Sequence, residues 1–233
     1  MNFKLSKRLS AVADMITKGS SVADVGTDHG YIPIYLALNG LCRYSVAMDI
    51  NEGPLERARE NIRAYGVEDK VSTRLCDGLS GLVAGETDTV VIAGMGGLLT
   101  VRILEASPEK AHAAKELVLS PHSDVDAVRA FLARNSFVIA DESIVKEDGK
   151  FYFVLRAVNG DAPVPEGAAL YYGLPLLKKR DRVLKEYLER ELALRQKIIE
   201  NLRSNSSDGN GRIAQIKDEI TIIKEGFNFY ESC

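Results

Sequence analysis

The segment Val22-Ala-Asp-Val-Gly-Thr-Asp-His-Gly-Tyr31 decides the fold of this 233-residue chain. Small and branched apolar residues around Asp24 are typical of a short buried parallel strand, which stops at Gly26. Gly26 permits a backbone approach that any side chain would block, and Gly30 leaves space at the start of the following helix. Because ligands bind at the carboxyl ends of strands in open α/β sheets, this turn predicts a cofactor site.

The glycine spacing argues against a dinucleotide as the cofactor. A dinucleotide fingerprint requires Gly-x-Gly-x-x-Gly. Here the glycines stand at positions 26 and 30 with Asp28 between them, and a carboxylate there would repel a pyrophosphate. Acidic side chains suit a ligand with an amine and a sulfonium, such as S-adenosylmethionine. A dinucleotide-dependent oxidoreductase is therefore disfavoured.

Two further strands also lead to acidic residues. Asp49 ends the strand Tyr44-Ser-Val-Ala-Met-Asp49, about 20 residues beyond the loop, where a carboxylate accepts hydrogen bonds from ribose hydroxyls. Asp77 follows a third strand in Leu75-Cys-Asp-Gly-Leu79 and is expected to accept a hydrogen bond from the adenine amino group. Together with Asp24, these acids predict an S-adenosylmethionine site. The alternative is that all three only cap helices.

Apolar runs alternate with helical patterns from about residue 20 to residue 158, which predicts a mostly parallel sheet covered by helices on both faces. Strands are predicted near residues 22–26, 44–49, 71–75, 88–93, 116–120, 137–145 and 151–158. Helices are predicted near residues 4–17, 31–39, 52–65, 97–106 and 123–134. Lys146-Glu-Asp-Gly149 is a hairpin signal, so the last two strands are expected to pair antiparallel. This layout is an α/β fold, that of a seven-stranded, Rossmann-like class I methyltransferase domain.

The composition changes after a Pro- and Gly-rich linker at residues 159–168. Two long charged helices are predicted to follow, separated by a turn at Ser204-Asn-Ser-Ser-Asp-Gly-Asn-Gly211. Their apolar stripes predict an antiparallel coiled-coil hairpin. The stripe residues are Leu184, Leu188, Leu192, Ile198 and Leu202, then Ile213, Ile216, Ile220, Ile223 and Phe227. We expect a methyltransferase domain at residues 1–160 and a hairpin at 170–233 that either stiffens the domain, mediates dimerisation or grips a large substrate.

Composition restricts the remaining classes. The net charge of −3 does not indicate a nucleic-acid partner, although a local basic patch would suffice. No apolar run is long enough to cross a bilayer, so no membrane association is expected. Cys42, Cys76 and Cys233 lack metal-binding spacing and the three histidines form no ligand cluster, so no metal is predicted. Cys42 and Cys76 are expected to pack as small apolar residues in a reducing cytoplasm. We expect a monomer or a weak dimer.

The fourth strand ends in Thr89-Val-Val-Ile-Ala-Gly-Met-Gly-Gly97, where three glycines leave the backbone bare. In the methyltransferase fold the acceptor base meets the methyl group at this strand end. Bare carbonyls can accept hydrogen bonds from an exocyclic amine while leaving room for a flat ring. The alternative is a glycine turn for tight packing of strand and helix. The Asp/Asn-Pro-Pro-aromatic motif of many amino-group methyltransferases is absent, which argues against that subclass.

These motifs together resemble the bacterial family of tRNA adenine-22 N1-methyltransferases. The segments that match are Leu5-Ser-Lys-Arg-Leu9, Ala23-Asp-Val-Gly-Thr-Asp-His-Gly-Tyr-Ile-Pro33, Asp77-Gly-Leu79, Ala93-Gly-Met-Gly-Gly97 and Glu147-Asp-Gly-Lys-Phe-Tyr152. The resemblance includes the C-terminal hairpin and implies methyl transfer from S-adenosylmethionine to N1 of an adenine in the D-loop region of tRNA. The target adenine is then expected to be flipped out. Leu119-Ser-Pro-His122 departs from the family pattern, which has Gln or Asn nearby.

The motifs and the resemblance together assign site residues. Asp28, Gly94 and Met95 are the catalytic candidates, Asp28 as the carboxylate that stabilises the positive charge of the product. RNA binding is assigned to Lys7, Arg8, Lys150 and Tyr152; the alternative for Lys7 and Arg8 is ordinary solvated charges on a helix. Residues expected at the cofactor are Asp24, Gly26, Thr27, Asp28, His29, Gly30, Tyr31, Asp49, Ile50, Asp77, Gly78, Leu79, Ala93, Gly94 and Met95. Alternative functions are methylation of another RNA or a small molecule, and non-catalytic binding of S-adenosylmethionine or RNA.

Overall fold

A computed structural model describes residues 3–205 and 210–231. The chain divides into two compact units, Met1–Pro163 and Val164–Cys233. The first unit holds one seven-stranded sheet in the order β3-β2-β1-β4-β5-β7-β6. The strands are β1 (Ser20–Val25), β2 (Cys42–Asp49), β3 (Val71–Leu75), β4 (Thr89–Ala93), β5 (Glu116–Ser120), β6 (Phe137–Glu147) and β7 (Lys150–Asn159).

The pairing confirms the predicted Rossmann-like fold. Strands β3, β2, β1, β4 and β5 run parallel, whereas β7 pairs antiparallel with both β5 and β6. All six residues of β1 are buried, because the strand lies at the centre of the sheet with both faces covered. The order reverses around β1, so the carboxyl ends of β1 and β4 flank the switch point where ligands bind in such sheets.

Six helices accompany the sheet in the described part of this unit. They are α1 (Lys7–Met15), α2 (Tyr31–Leu38), α3 (Glu52–Tyr65), α4 (Gly97–Glu105), α5 (Pro108–Ala113) and α6 (Val125–Arg134). The first is shorter than predicted, because Ser6 already caps it by accepting a hydrogen bond from the Leu9 N–H, at 3.3 Å. The sequence patterns missed α5.

The hairpin of β6 and β7 has a two-residue turn in which Asp148 and Gly149 have φ angles of 49° and 74°. Positive φ at both positions matches the twist of the flanking strands, which is why Asp-Gly is favoured here. The predicted antiparallel pair is therefore confirmed. A bulge between Ile139 and Asp141 interrupts the register of β6 against β7.

In its described residues the second unit contains helices and no strand. It contains α7 (Gly167–Tyr172), α8 (Leu174–Lys179), α9 (Arg182–Asn205) and α10 (Asn210–Glu231). The long helices α9 and α10 are antiparallel, since Arg195 Nε meets Glu219 Oε2 at 3.0 Å while the Tyr230 hydroxyl donates to the Asp181 carbonyl at 2.7 Å. The predicted turn centres on residues 206–209, which lie outside the described residues, and coiled-coil geometry stays a prediction. None of the helices described in either unit is long and apolar enough to span a membrane.

Candidate active site

A cavity of about 450 Å³ opens where the carboxyl ends of β1 and β4 meet the start of α1. Its volume lies within the range of small-molecule sites, about 300–1,000 Å³. The lining residues are Ser6, Arg8, Leu9, Asp24, Gly26, Thr27, Asp28, His29, Tyr31, Ile32, Ala93, Gly94 and His122. Most of the residues that the sequence assigned to the cofactor around β1 and β4 thus face one space, with Gly30 and Met95 beside it.

The acidic wall of the cavity is Asp24. Its carboxyl is buried in β1, and burial raises its pKa from 3.8 to about 6, with the negative charge of Asp49 acting in the same direction. The backbone N–H groups of Gly26 and Thr27 both donate to the Met48 carbonyl, at 2.8 and 2.9 Å, which fastens the turn to the end of β2 and brings Asp49 near. A bound cation would relieve the electrostatic cost of ionising Asp24.

Gly26 has φ +75°, and a Cβ added to it would lie 1.8 Å from Met95 Cε. The side chain of Met95, two residues beyond β4, therefore fills the space beside this glycine, whereas the predicted approach of a ligand to its backbone stays a prediction. The side chain of Thr27, next in the chain, is buried, and a hydrogen bond from it to Asp24 lowers the pKa of that carboxyl, against the larger effect of burial. Bare backbone and a buried acid beside a hydroxyl fit a ligand that is both polar and cationic, as S-adenosylmethionine is.

Asp28, His29 and Tyr31 form the outer rim. Asp28 Oδ1 accepts a hydrogen bond from Arg57 Nη2 at 2.6 Å, and Asp28 Oδ2 lies 3.5 Å from His29 Nε2. The His29 ring stacks on Tyr31 at 5.0 Å between centroids, while its backbone has φ 86°, a costly conformation for a residue other than glycine. Arg57 was missed by sequence reasoning because it lies in the middle of α3, away from every strand end.

The remaining cofactor candidates lie along the same sheet edge but do not line the cavity. Asp49 Oδ1 accepts from the Asn51 N–H at 2.7 Å, and the Asp49 carbonyl accepts from the Cys76 N–H at 2.9 Å, which joins the ends of β2 and β3. Ile50, Asp77 and Gly78 follow these strand ends, with Ile50 and Asp77 exposed. Leu79 is a core side chain, 1% exposed, and can offer a ligand only its backbone.

The glycines after β4 serve two purposes. Gly94, at φ 91°, borders the cavity, and an added Cβ would lie 3.4 Å from Arg8 Nη1. Gly97 instead satisfies the packing alternative, because a Cβ there would lie 2.5 Å from backbone oxygens of Ser123 and Asp124. The Met95 carbonyl accepts from the His122 N–H at 2.8 Å, so the carbonyl of Gly94 is the one in this turn that has no partner among the described residues.

The basic wall combines residues from both ends of the first unit. Arg8 Nη1 lies 3.3 Å from His122 Nε2, and the Arg8 guanidinium lies 5.5 Å from the centroid of the Tyr152 ring. Glu147 accepts hydrogen bonds from the backbone N–H groups of Lys7 and Arg8, at 2.6 and 3.4 Å, and so holds the start of α1 against the hairpin. Lys150 lies close enough to lower the pKa of His122. The structure thus brings together the four residues that the sequence assigned to RNA binding.

His122 is the functional candidate that the sequence assigned no role. It lies two residues beyond β5, so the strand-end rule that selected Asp49 and Asp77 also points to it. The pKa of His122 is lowered from 6.5, first by burial and then by the positive charges of Arg8 and Lys150. These effects favour the neutral form of its ring.

Comparison with known proteins gives concordant matches. The chain matches the family model described as a methyltransferase domain over residues 5–155. It is 34% identical over 229 residues to the tRNA (adenine(22)-N(1))-methyltransferase of Bacillus subtilis (strain 168), which covers 95% of this chain and 96% of that protein. The crystal structure of the B. subtilis m1A22 tRNA methyltransferase TrmK is 34% identical with a TM-score of 0.85, covering 97% of this chain and 99% of that chain.

A more distant structure gives the same result. M. capricolum TrmK, in complex with the cofactor product S-adenosyl-homocysteine, is 26% identical with a TM-score of 0.83, covering 97% of this chain and 98% of that chain. Both structural matches extend over the methyltransferase domain and the C-terminal helices. The chain therefore belongs to the bacterial family of tRNA (adenine(22)-N(1))-methyltransferases that its motifs resemble.

Proposed function

We propose that this protein transfers the methyl group of S-adenosylmethionine to N1 of adenine 22 in tRNA. The observation that carries this proposal is one cavity with an acidic wall at Asp24 and a basic wall at Arg8. A cationic cofactor matches the first wall and a phosphate-bearing substrate matches the second. We place this reaction in the cytoplasm, with the protein as a monomer or weak dimer.

The residues around the cavity divide the work of such a reaction. When bound, S-adenosylmethionine supplies a methyl group on a positively charged sulfur. A neutral ring nitrogen can attack this methyl carbon directly, and the sulfur leaves with the bonding electrons. The protein then needs no general base and acts mainly by orienting the two reactants. We assign the free carbonyl of Gly94 to accept a hydrogen bond from the adenine amino group, with Met95 packed against Gly26 behind it.

Asp28 is the carboxylate that we assign to balance the positive charge that the purine gains on methylation. Its ion pair with Arg57 fixes it at the mouth of the cavity. For the cofactor we assign Asp24, Asp49 and the Gly26 turn. Asp77 lies on the same sheet edge, outside the cavity lining. We propose that it accepts a hydrogen bond from the amino group of the cofactor's adenine, as the sequence predicted.

The RNA side of the proposal rests on Lys7, Arg8, Lys150 and Tyr152. Cationic side chains bind phosphate without reading sequence, while a tyrosine ring provides a surface on which an unstacked base can lie. Access to N1 requires the target adenine to leave its stack, at a cost of a few kcal/mol. We propose that the C-terminal helices hold the body of the tRNA during this step.

The test is nucleoside mapping of unmodified tRNA after incubation with the protein and S-adenosylmethionine. We expect a single 1-methyladenosine at position 22, and no methyl transfer to a transcript in which that adenine is replaced by guanine. Equal methylation of the altered transcript would contradict the assigned position. Methyl transfer to small molecules but not to tRNA would contradict the substrate class.

A further inference from the structure

His122 and Arg8 are in contact, and the chemistry of the two groups fixes the direction of the hydrogen bond. Arg8 Nη1 lies 3.3 Å from His122 Nε2. A guanidinium has only N–H donors, so Nε2 must offer its lone pair. The neutral ring then has its proton on Nδ1. The tautomer of His122 is therefore set by Arg8.

Hydrogen bonds from their backbone N–H groups hold both residues in place. The orientation of the Arg8 guanidinium then depends on its hydrogen bond with His122. The Arg8 N–H donates to Glu147 Oε2 at 3.4 Å, and the His122 N–H donates to the Met95 carbonyl at 2.8 Å. Tyr152 flanks both side chains, with its ring 5.4 Å from the His122 ring in an edge-on arrangement. Within the described residues the Arg8 guanidinium forms no salt bridge with a carboxylate: Glu147, whose pKa the charge of Arg8 helps to lower, accepts from the Arg8 backbone, which leaves the guanidinium available to a phosphate.

We infer that His122 is a positioning residue for tRNA binding, which aims the Arg8 guanidinium by accepting its hydrogen bond and releases it on protonation. This inference rests on the proposed function, since it deepens the role of the basic wall. A protonated imidazole has two donors and no acceptor, so it cannot hold Arg8. It also adds a third positive charge beside Arg8 and Lys150, and these three cations repel one another.

The charged groups around His122 define the pH range. Burial opposes protonation of His122, and the charges of Arg8 from α1 and Lys150 from β7 act in the same direction, so its pKa lies below the ordinary value of a histidine. Across the cavity, Asp24 titrates at about pH 6. An acid limb in the activity of the wild-type protein therefore contains contributions from both residues, and variants must separate them.

The experiment measures KM for tRNA and kcat between pH 5 and pH 8 at saturating S-adenosylmethionine, in wild type, H122L and H122Q. Leucine removes the acceptor, so KM for tRNA should rise about tenfold at pH 7.5 with little change in kcat. Glutamine has an oxygen that can accept from Arg8, so H122Q should recover most of that loss. It should also lack the part of the acid limb in KM that belongs to His122. H112Q is the matched control, because His112 bonds Asn159 outside the cavity.

A second readout needs no activity. The ring nitrogens of His122 are observed by NMR with nitrogen-15 labelling, assigned by comparison with H122Q. We expect protonated Nδ1 and bare Nε2 at pH 7.5. A proton on Nε2, equal KM values for H122L and H122Q, or an unchanged acid limb in H122Q would each overturn the inference. Wild-type protein that fails to methylate tRNA would overturn the proposed function instead, and the tautomer would still test the contact.

Discussion

Gly26 and Asp24 illustrate how single residues can be under two constraints at once. Gly26 needs a positive φ to make the turn and also needs to lack a Cβ, because the methyl group of Met95 occupies that space. Asp24 has a buried carboxyl that is costly to ionise in the free protein. Both residues therefore lower the stability of the folded protein, and their benefit lies in the site that they form.

The Gly26 contact can be tested with a matched pair of glycines. Gly19 has φ +79°, close to the +75° of Gly26, but nothing lies within 4 Å of an added Cβ there. G19A should lower the free energy of unfolding by about 1 kcal/mol through backbone strain alone. G26A should cost at least about 1–3 kcal/mol more and weaken binding of S-adenosylmethionine, because Met95 must move. Thermal melting and calorimetry report the two effects, and equal losses in both variants would contradict the importance of the Met95 contact.

Replacing Asp24 by asparagine should change stability and cofactor binding in opposite directions. Because the pKa of Asp24 is about 6 in the folded state against 3.8 ordinarily, the folded state holds this proton more tightly than the unfolded state does. Its contribution to the free energy of unfolding therefore falls as pH rises from about 4 to about 6, by roughly 3 kcal/mol. D24N should match wild type in stability near pH 4, exceed it above pH 6, and bind S-adenosylmethionine more weakly. Urea unfolding at pH 4 and pH 7.5 tests the predicted change in stability. A wild-type protein that is more stable than D24N at pH 7.5 would contradict it.

At the scale of helices and strands, the sequence patterns predicted what depends on local chemistry. All seven strands and the antiparallel β6–β7 pair were predicted, since apolar runs and an Asp-Gly turn are local signals. The six-residue helices α5, α7 and α8 were missed, because six residues do not complete two turns of a periodic pattern. The start of α1 was predicted too early: Ser6 is a local capping signal that was not used, and Glu147, which also binds the first turn, is distant in sequence.

Glu147 links two elements, and its removal should affect both. Its carboxylate accepts from two N–H groups at the start of α1, which otherwise have no partner within the helix. E147A should lower the free energy of unfolding by about 1 kcal/mol, the usual cost of losing a helix cap. It should also raise KM for tRNA, because Arg8 is no longer held. E147Q keeps one acceptor oxygen and should lie between the two proteins. Normal KM for tRNA in E147A would contradict this link to the basic wall.

At the scale of the whole molecule, the basic wall shows what sequence reasoning could not reach. Arg8 and His122 are 114 positions apart, and only the sheet order places the end of β5 beside the start of α1. Motif positions predicted Arg8, Lys150 and Tyr152 as RNA-binding candidates, but no pattern indicated that a histidine would bond the arginine. The cavity around Asp24 was easier to predict, because its residues follow two strand ends.

The two units predict a separation of binding functions. The first unit has its own hydrophobic core, so a protein ending at Pro163 should remain folded. We expect S-adenosylmethionine affinity to stay within about twofold of the full chain and tRNA affinity to fall about tenfold or more as phosphate contacts are lost. Calorimetry and filter binding measure these values. Full tRNA methylation by the shortened protein would contradict the gripping role. A full chain that sediments as a dimer and a shortened protein that sediments as a monomer would favour dimerisation through the second unit.

The outermost strand has a consequence for behaviour at high concentration. An eleven-residue edge strand such as β6 exposes a row of backbone donors and acceptors that another chain can extend into a fibril. The bulge between Ile139 and Asp141 breaks that row, and Asp141, Lys146 and Glu147 place charges along it. We therefore expect the bulge and the charges to oppose edge-to-edge polymerisation through β6 when the protein is concentrated.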